Sequence, residues 1–304
     1  MIALALALLL ADATTTTSSA AAPANTNANA NANANANANA NANANANANA
    51  DANANAAANA NAPASAPKSL KSLTPAERAA LPHADLDALL RATPLSDFMD
   101  LAHDAVAHLG VYTVDITMQE RVNGDLLDAN IVHATVRTKP MAVILRYIDG
   151  PAKGRTCFYD ETVRKSELRA RETGLKGLVG AIWLDMNGSL AHGDSNHNIN
   201  ETGYGPTMQK LDHDYEASAP FGGEQRLDEG LDASGHFCMK LTAPSKAKDL
   251  YADQTHLCFD PLQGLPSSIE VFRKGQLAER FSWAKLKTNV TGKDGELTLE
   301  AAGL

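Results

Sequence analysis

The sequence predicts an α+β chain that is mainly β, an antiparallel sheet of about eleven strands curved into a half-open barrel. Three observations carry this. From Val111 onward apolar residues recur at every second position. Turn signals separate these runs at short intervals. Only two segments near this region, one ending before Val111 and one beginning near Thr202, keep a helical period.

The N-terminal part differs in composition. Residues 1–13 read as a possible signal peptide: the apolar run from Met1 to Ala11 is too short to span a bilayer but suits a signal core, and Ala11-Asp12-Ala13 fits a small-residue cleavage site. No Lys or Arg precedes Lys68, so either the signal is weak or the start lies upstream of Met1. The expected location is periplasmic or otherwise exported; the alternative is a cytoplasmic chain with a chance apolar start. Residues 14–67 form an Asn/Ala-rich low-complexity tract without large apolar side chains to offset the entropy of ordering, and read as a disordered tether. Roughly 235 residues remain, enough for one sizeable domain.

All 26 Lys and Arg lie in that remainder, while of the 35 acids only Asp12 and Asp51 precede it. A mildly acidic domain lacks the basic excess that phosphate binding needs, which argues against nucleic acid as a partner. No further apolar run is long enough to cross a bilayer, so no membrane span is expected in the mature chain.

Residues 68–92 are a short helical lead-in. Thr74-Pro75-Ala76-Glu77 is a capping box with Pro at the first helical position, Pro82 ends that helix, and Asp85 can cap a further turn. Leu95, Phe98, Ala102, Ala105, Val106 and Leu109 then recur at helical spacing up to the stop at Gly110, giving one apolar face to lay on a sheet.

In the first strand Tyr112, Val114, Ile116, Met118 and Val122 share a face. Asn123-Gly124-Asp125 turns the chain, and Val132, Ala134 and Val136 return in phase. A loop centred on Asp125 sets Ile116 opposite Ala134; one centred a residue later slides each pairing by two. Further strands are expected at 142–148, 155–159, 163–170 (a solvated edge), 181–186, near Gln225, and at 236–242, 255–260, 267–273 and 276–287. Between them Tyr204, Met208, Leu211 and Tyr215 form the stripe of a helix over 202–218. Placing Phe237 opposite Phe259 also sets Cys238 opposite Cys258, close enough for a disulfide; the alternative is two reduced thiols. Cys157 reads as a small core hydrophobe.

Gln119-Glu120-Arg121-Val122, Val136-Arg137-Thr138-Lys139-Pro140, Gly154-Arg155 with Tyr159, and Asn198-Ile199-Asn200-Glu201-Thr202-Gly203 together resemble the bacterial family DUF1571, within the wider LolA-like group of lipoprotein carriers and periplasmic lipid-binding proteins. The resemblance covers roughly residues 93–290, leaving 291–304 as a tail. It implies an unclosed antiparallel barrel with helices against its concave side, an apolar cavity between them, no catalytic residues and no cofactor. His197 and Asn198 stand where a basic residue is expected of the family.

On this reading Val114, Ile116, Met118, Val143 and Leu145 line the concave face, together with Phe237, Met239, Leu257 and Phe259. The alternative is a filled core. Glu120 shares parity with Ile116 and Met118, so it points to the apolar face and must be paired or wet. It reads as a residue of the open mouth, or, with Arg137 or Arg155, as a polar rim for a ligand headgroup, although Arg137 is out of phase with Val132, Ala134 and Val136. Gly193-Asp194-Ser195 resembles the nucleophile block of GDS-type lipases but sits in a polar loop without a second block. His192, Asp194 and His197, and Asp212-His213-Asp214, lack zinc-ligand spacing, and no metal site is assigned. The expected function is therefore non-enzymatic: a carrier or sensor in the cell envelope for a lipid or an acylated protein. A protein–protein adaptor with a filled core, binding an envelope protein partner, is the alternative, and a serine hydrolase the remote one.

Overall fold

The computed structural model describes residues 69–304; the expected signal peptide and tether lie outside the described residues. The Thr74 side chain accepts from the Glu77 amide while the Glu77 carboxylate accepts from the Thr74 amide, and this capping box starts α1 (Pro75–Ala80). In α2 (His83–Ala92) Pro82 takes the capping position, and Asp85 sits instead in the first turn, where its charge suits the helix dipole. The amphipathic α3 (Leu95–Ala107) follows.

Seven strands then run as a meander: β1 (Val111–Val122), the two-residue β2 (Asp125–Leu126), β3 (Asn130–Arg137), β4 (Ala142–Asp149), β5 (Thr156–Asp160), β6 (Glu167–Arg171) and β7 (Ile182–Asp185). After a long loop, α4 (Tyr204–Ser218) leads to a second meander: β8 (Gln225–Leu231), β9 (Phe237–Thr242), β10 (Gln254–Asp260), β11 (Leu265–Arg273) and β12 (Gln276–Lys287). The sheet order is β7-β6-β5-β4-β3-β1-β12-β11-β10-β9-β8. The sheet is therefore antiparallel and unclosed, with β7 and β8 as its two edges. Its centre is the β1–β12 pair, which joins strands from opposite ends of the domain.

Register follows turn chemistry. Asn123 and Gly124 both have positive φ, 52° and 97°, as a two-residue hairpin turn needs. This tight turn centres the β1–β3 hairpin earlier than either register weighed from the sequence: Ile116 stands opposite Val132 and Val114 opposite Ala134. The apolar faces still match, because the slip is an even number of positions. β6 is flanked by β7 and is not the edge, and its Leu168 and Ala170 are buried. On α4, Tyr204, Met208 and Leu211 are buried but Tyr215 is exposed, and the stripe continues through buried Asp214 and Ser218. The Asp214 carboxylate accepts from the amides of Tyr251 and Ala252, which tethers the loop before β10 to the helix.

The concave face is packed unevenly. Over β9–β11, Phe98 of α3 stacks on Phe237 with ring centres 5.8 Å apart and meets Phe259 edge-on at 5.1 Å. Met208 and Leu211 of α4 join Met239, Leu257 and Ile269 in the same cluster. Phe237, Met239, Leu257 and Phe259, expected to line a cavity, are instead nearly fully buried in a packed cluster into which α3 inserts the Phe98 ring. Over β1–β7 a second cluster includes Val114, Val143 and Leu145. On the convex side Ala142, Ile144 and Phe158 are covered by Leu297 and by Ala302 of α5 (Leu299–Ala302), so the closing residues pack as part of the domain.

Phe98 is the side chain on which the filled half closes. Phe98→Ala should cost about 3–5 kcal/mol in urea unfolding; a loss under about 1 kcal/mol would contradict this packing.

Candidate functional site

The hollow lies in the other half. The concave strand faces of β1, β4–β7 and β11–β12, roofed by the 186–203 loop and the start of α4, bound a partly open cavity of about 110 Å³. Ile116, Met118 and Leu145 line it among the residues expected to; Val114 and Val143 lie deeper, fully buried in the core beside it. Leu168, Leu184, Met186, Phe281 and Trp283 add to the apolar wall.

The β1–β12 register orders the floor. Ile116 stands opposite Trp283, Met118 opposite Phe281, and Glu120 opposite Glu279. Both glutamates are almost fully buried, 4% and 1% exposed. Glu120 therefore does not sit in an open, wet mouth. The loop closes over it: Ser195 Oγ donates to Glu120 Oε1 at 2.8 Å, the Asn196 amide donates to Oε2 at 2.7 Å, and Asn196 Nδ2 donates to the Arg121 carbonyl at 3.1 Å. Burial raises the Glu120 pKa, against the lowering effect of the Asn196 amide.

Glu279 is held by charges. His197 Nε2 donates to its Oε2 at 2.7 Å, the Tyr251 hydroxyl donates to the same oxygen at 2.5 Å, and Arg273 lies 3.4 Å from Oε1. On its other side His197 Nδ1 donates to Glu201 Oε2 at 2.9 Å, an oxygen that Lys210 of α4 also reaches at 2.8 Å. Lys210 Nζ and His197 Nδ1 are 2.8 Å apart; both are donors, so this is two cations converging on one carboxylate rather than a bond between them. Burial pulls the His197 pKa down, but the bonds to Glu201 and Glu279 outweigh it and set it at about 9. Burial pushes the Glu201 carboxyl up, yet His197 and Lys210 bring it to about 2. Glu279 is likewise lowered, its burial outweighed by His197. The imidazolium is thus a clasp between the loop and β12, and Lys210 ties α4 to the same Glu201.

Of the two arginines expected at a polar rim, Arg155 lines the cavity, 2.8 Å from Glu172 and 2.5 Å from Asp194, with its guanidinium over the Tyr147 ring. Arg137 does not reach it; it donates to the Pro140 carbonyl and to Asp160, as its phase opposite to Val136 dictates. Ser195 Oγ is bonded to Glu120 and to the His197 backbone, and no imidazole contacts it among the described residues. His192 Nδ1 contacts the Ser195 carbonyl, while His213 lies beside Asp214 on α4, so these histidines do not converge. Cys238 and Cys258 face each other across β9–β10 and are joined by a disulfide, and Cys157 is buried and free.

Sequence reasoning missed Glu279, Glu201, Lys210, Tyr251 and Arg273. One signal was available: Glu279 shares parity with Phe281 and Trp283, the same inward phase that singled out Glu120.

The raised His197 pKa has a consequence for stability. The folded value of about 9 exceeds the ordinary 6.5, so the clasp contributes fully below pH 6.5 and is lost as pH rises through 9. Unfolding free energy should fall across that window, and the fall should be shallower in His197→Gln; equal pH profiles for the two proteins would contradict the clasp.

Among the described residues no helix is long and apolar enough to cross a membrane. A DUF1329 family protein from Desulfovibrio piger is similar in structure with a TM-score of 0.35 and 11% identity, over 69% of this chain and 99% of the other. A LolA superfamily protein from Nitrosomonas europaea matches with a TM-score of 0.28 and 12% identity, over 65% and 94%. The MucA/MucB complex of Pseudomonas aeruginosa matches with a TM-score of 0.35 and 15% identity, over 67% of this chain and 62% of that one. No curated protein matches the sequence. The family model described as a protein of unknown function, DUF1571, matches residues 110–298, well over half of the sequence, and the chain belongs to that family.

Proposed function

We propose that this is a non-enzymatic, exported protein that binds an apolar chain, from a lipid or an acylated protein, in the β1–β7 cavity. The observation that carries the reading is the contrast between the two halves. Where α3 inserts Phe98 the concave face is packed, and where the 186–203 loop and the start of α4 cover it a lined hollow of about 110 Å³ remains. At the roughly 30 Å³ a water occupies in the liquid, that is space for about four waters. Its walls are mostly aliphatic and include Met118 and Met186, whose side chains adapt to irregular ligands. Burial of an acyl chain there yields about 0.8 kcal/mol per methylene.

Entry fits the free β7 side. Leu190 lines the cavity yet is 70% exposed, and Leu178 and Val179, just before β7, are 82% and 67% exposed. Water-exposed leucines beside a hollow suit a surface that is covered when a ligand or its donor is bound. The Cys238–Cys258 disulfide and the apolar N-terminus both support an oxidising compartment outside the cytoplasm. Ser195 works as a clamp on Glu120 in this reading, not as a nucleophile.

Native mass spectrometry of the delipidated protein should show uptake of one long-chain lipid. Absence of both co-purified and added lipid would overturn the reading and favour an adaptor that binds a protein partner through an edge of the sheet.

A further inference from the structure

The apolar-ligand reading leaves the polar end of the ligand open, and the floor of the cavity constrains it. Cations do line the cavity, but each is already matched. Arg155 lies between Glu172 and Asp194, Lys210 is paired with Glu201, and His197 bridges Glu201 and Glu279. Glu120 is the exception. The residue is 4% exposed; its carboxylate accepts hydrogen bonds from Ser195 and Asn196 and has no cation within ion-pair distance among the described residues, the His197 imidazolium acting on it only from longer range. A buried carboxylate held only by neutral donors is costly, and the cost rises with a second carboxylate directly across the strand pair.

We propose that the cavity takes an amphipath with a cationic head, a protonated amine, seated against Glu120, and an apolar tail running over Met118 and Phe281 to Ile116 and Trp283. This rests on the apolar-ligand reading and specifies its substrate class. The β1–β12 register places acid, then thioether and phenyl ring, then aliphatic and indole, in sequence along one line, which is the order of polarity of such a ligand. An anionic head, by contrast, would find the cavity's cations engaged and would meet Glu120. Placed against the carboxylate, an ammonium both neutralises it and donates charge-assisted hydrogen bonds.

The test is calorimetric binding of three ten-carbon probes, decylamine, decanol and decanoate, at neutral pH to the delipidated protein. Decylamine is expected to bind about tenfold or more tightly than decanol, with decanoate weakest. Glu120→Gln, checked for fold by circular dichroism, should bind decylamine and decanol alike. Equal affinity of the wild type for amine and alcohol, a preference for decanoate, or an amine preference that survives in Glu120→Gln would overturn this inference while leaving the apolar-ligand reading standing. Failure of all three probes to bind would overturn both. If Glu120→Gln does not fold, the wild-type ranking alone decides.

Discussion

Two glutamates face each other across the central strand pair, both almost wholly out of water. That juxtaposition is imposed by register: β1 and β12 carry their apolar residues inward, and Glu120 and Glu279 are in phase with them. Each buried carboxylate needs partners, since an unpaired one would cost several kcal/mol. The protein supplies these partners from the loop between β7 and α4, through Ser195, Asn196 and His197. The loop is therefore drawn across the concave face because the acids beneath it must be satisfied. The roof of the cavity is a consequence of its floor.

The same logic explains why only one half is hollow. A helix brings side chains at regular spacing and can drive a ring into the sheet, as α3 does with Phe98 between Phe237 and Phe259. The 186–203 loop is fastened at its polar residues and by Ile199, so it spans the face without filling it. Gly203 sharpens the boundary. It has φ of 97°, and a Cβ there would collide with the Tyr112 hydroxyl oxygen, so the chain can pass from loop to α4 over the sheet only with glycine at this point. Loop, glycine and helix start make one covering unit, pinned at the far side by the Lys210–Glu201–His197 cluster.

Much of this was legible in the sequence, for physical reasons that can be named. Strand alternation is local, so the apolar face of β1, the phase of Glu120, the outward phase of Arg137 and the α3 stripe could all be read directly. The capping box at Thr74 is likewise a matter of neighbours. What local pattern does not encode is which strands from distant parts of the chain pair. The β1–β12 contact joins residues more than 150 positions apart, and without it Glu279 has no known opposite number. The same holds for the filled half: nothing in the spacing of Phe98 says that it enters between Phe237 and Phe259 instead of covering an empty space. The hairpin register failed on a different ground, because a two-residue Asn-Gly turn followed by slack before β3 cannot be told from a longer loop by counting apolar positions.

The central claim is that the hollow half, and not the packed one, receives an apolar chain. The methionines report on it directly, since Met118 and Met186 line the cavity whereas Met99 of α3 and Met239 of β9 lie in the packed cluster. With methyl-labelled methionine, addition of a long-chain lipid should shift the resonances of Met118 and Met186 and leave those of Met99 and Met239 in place. Shifts confined to Met99 and Met239 would contradict the account.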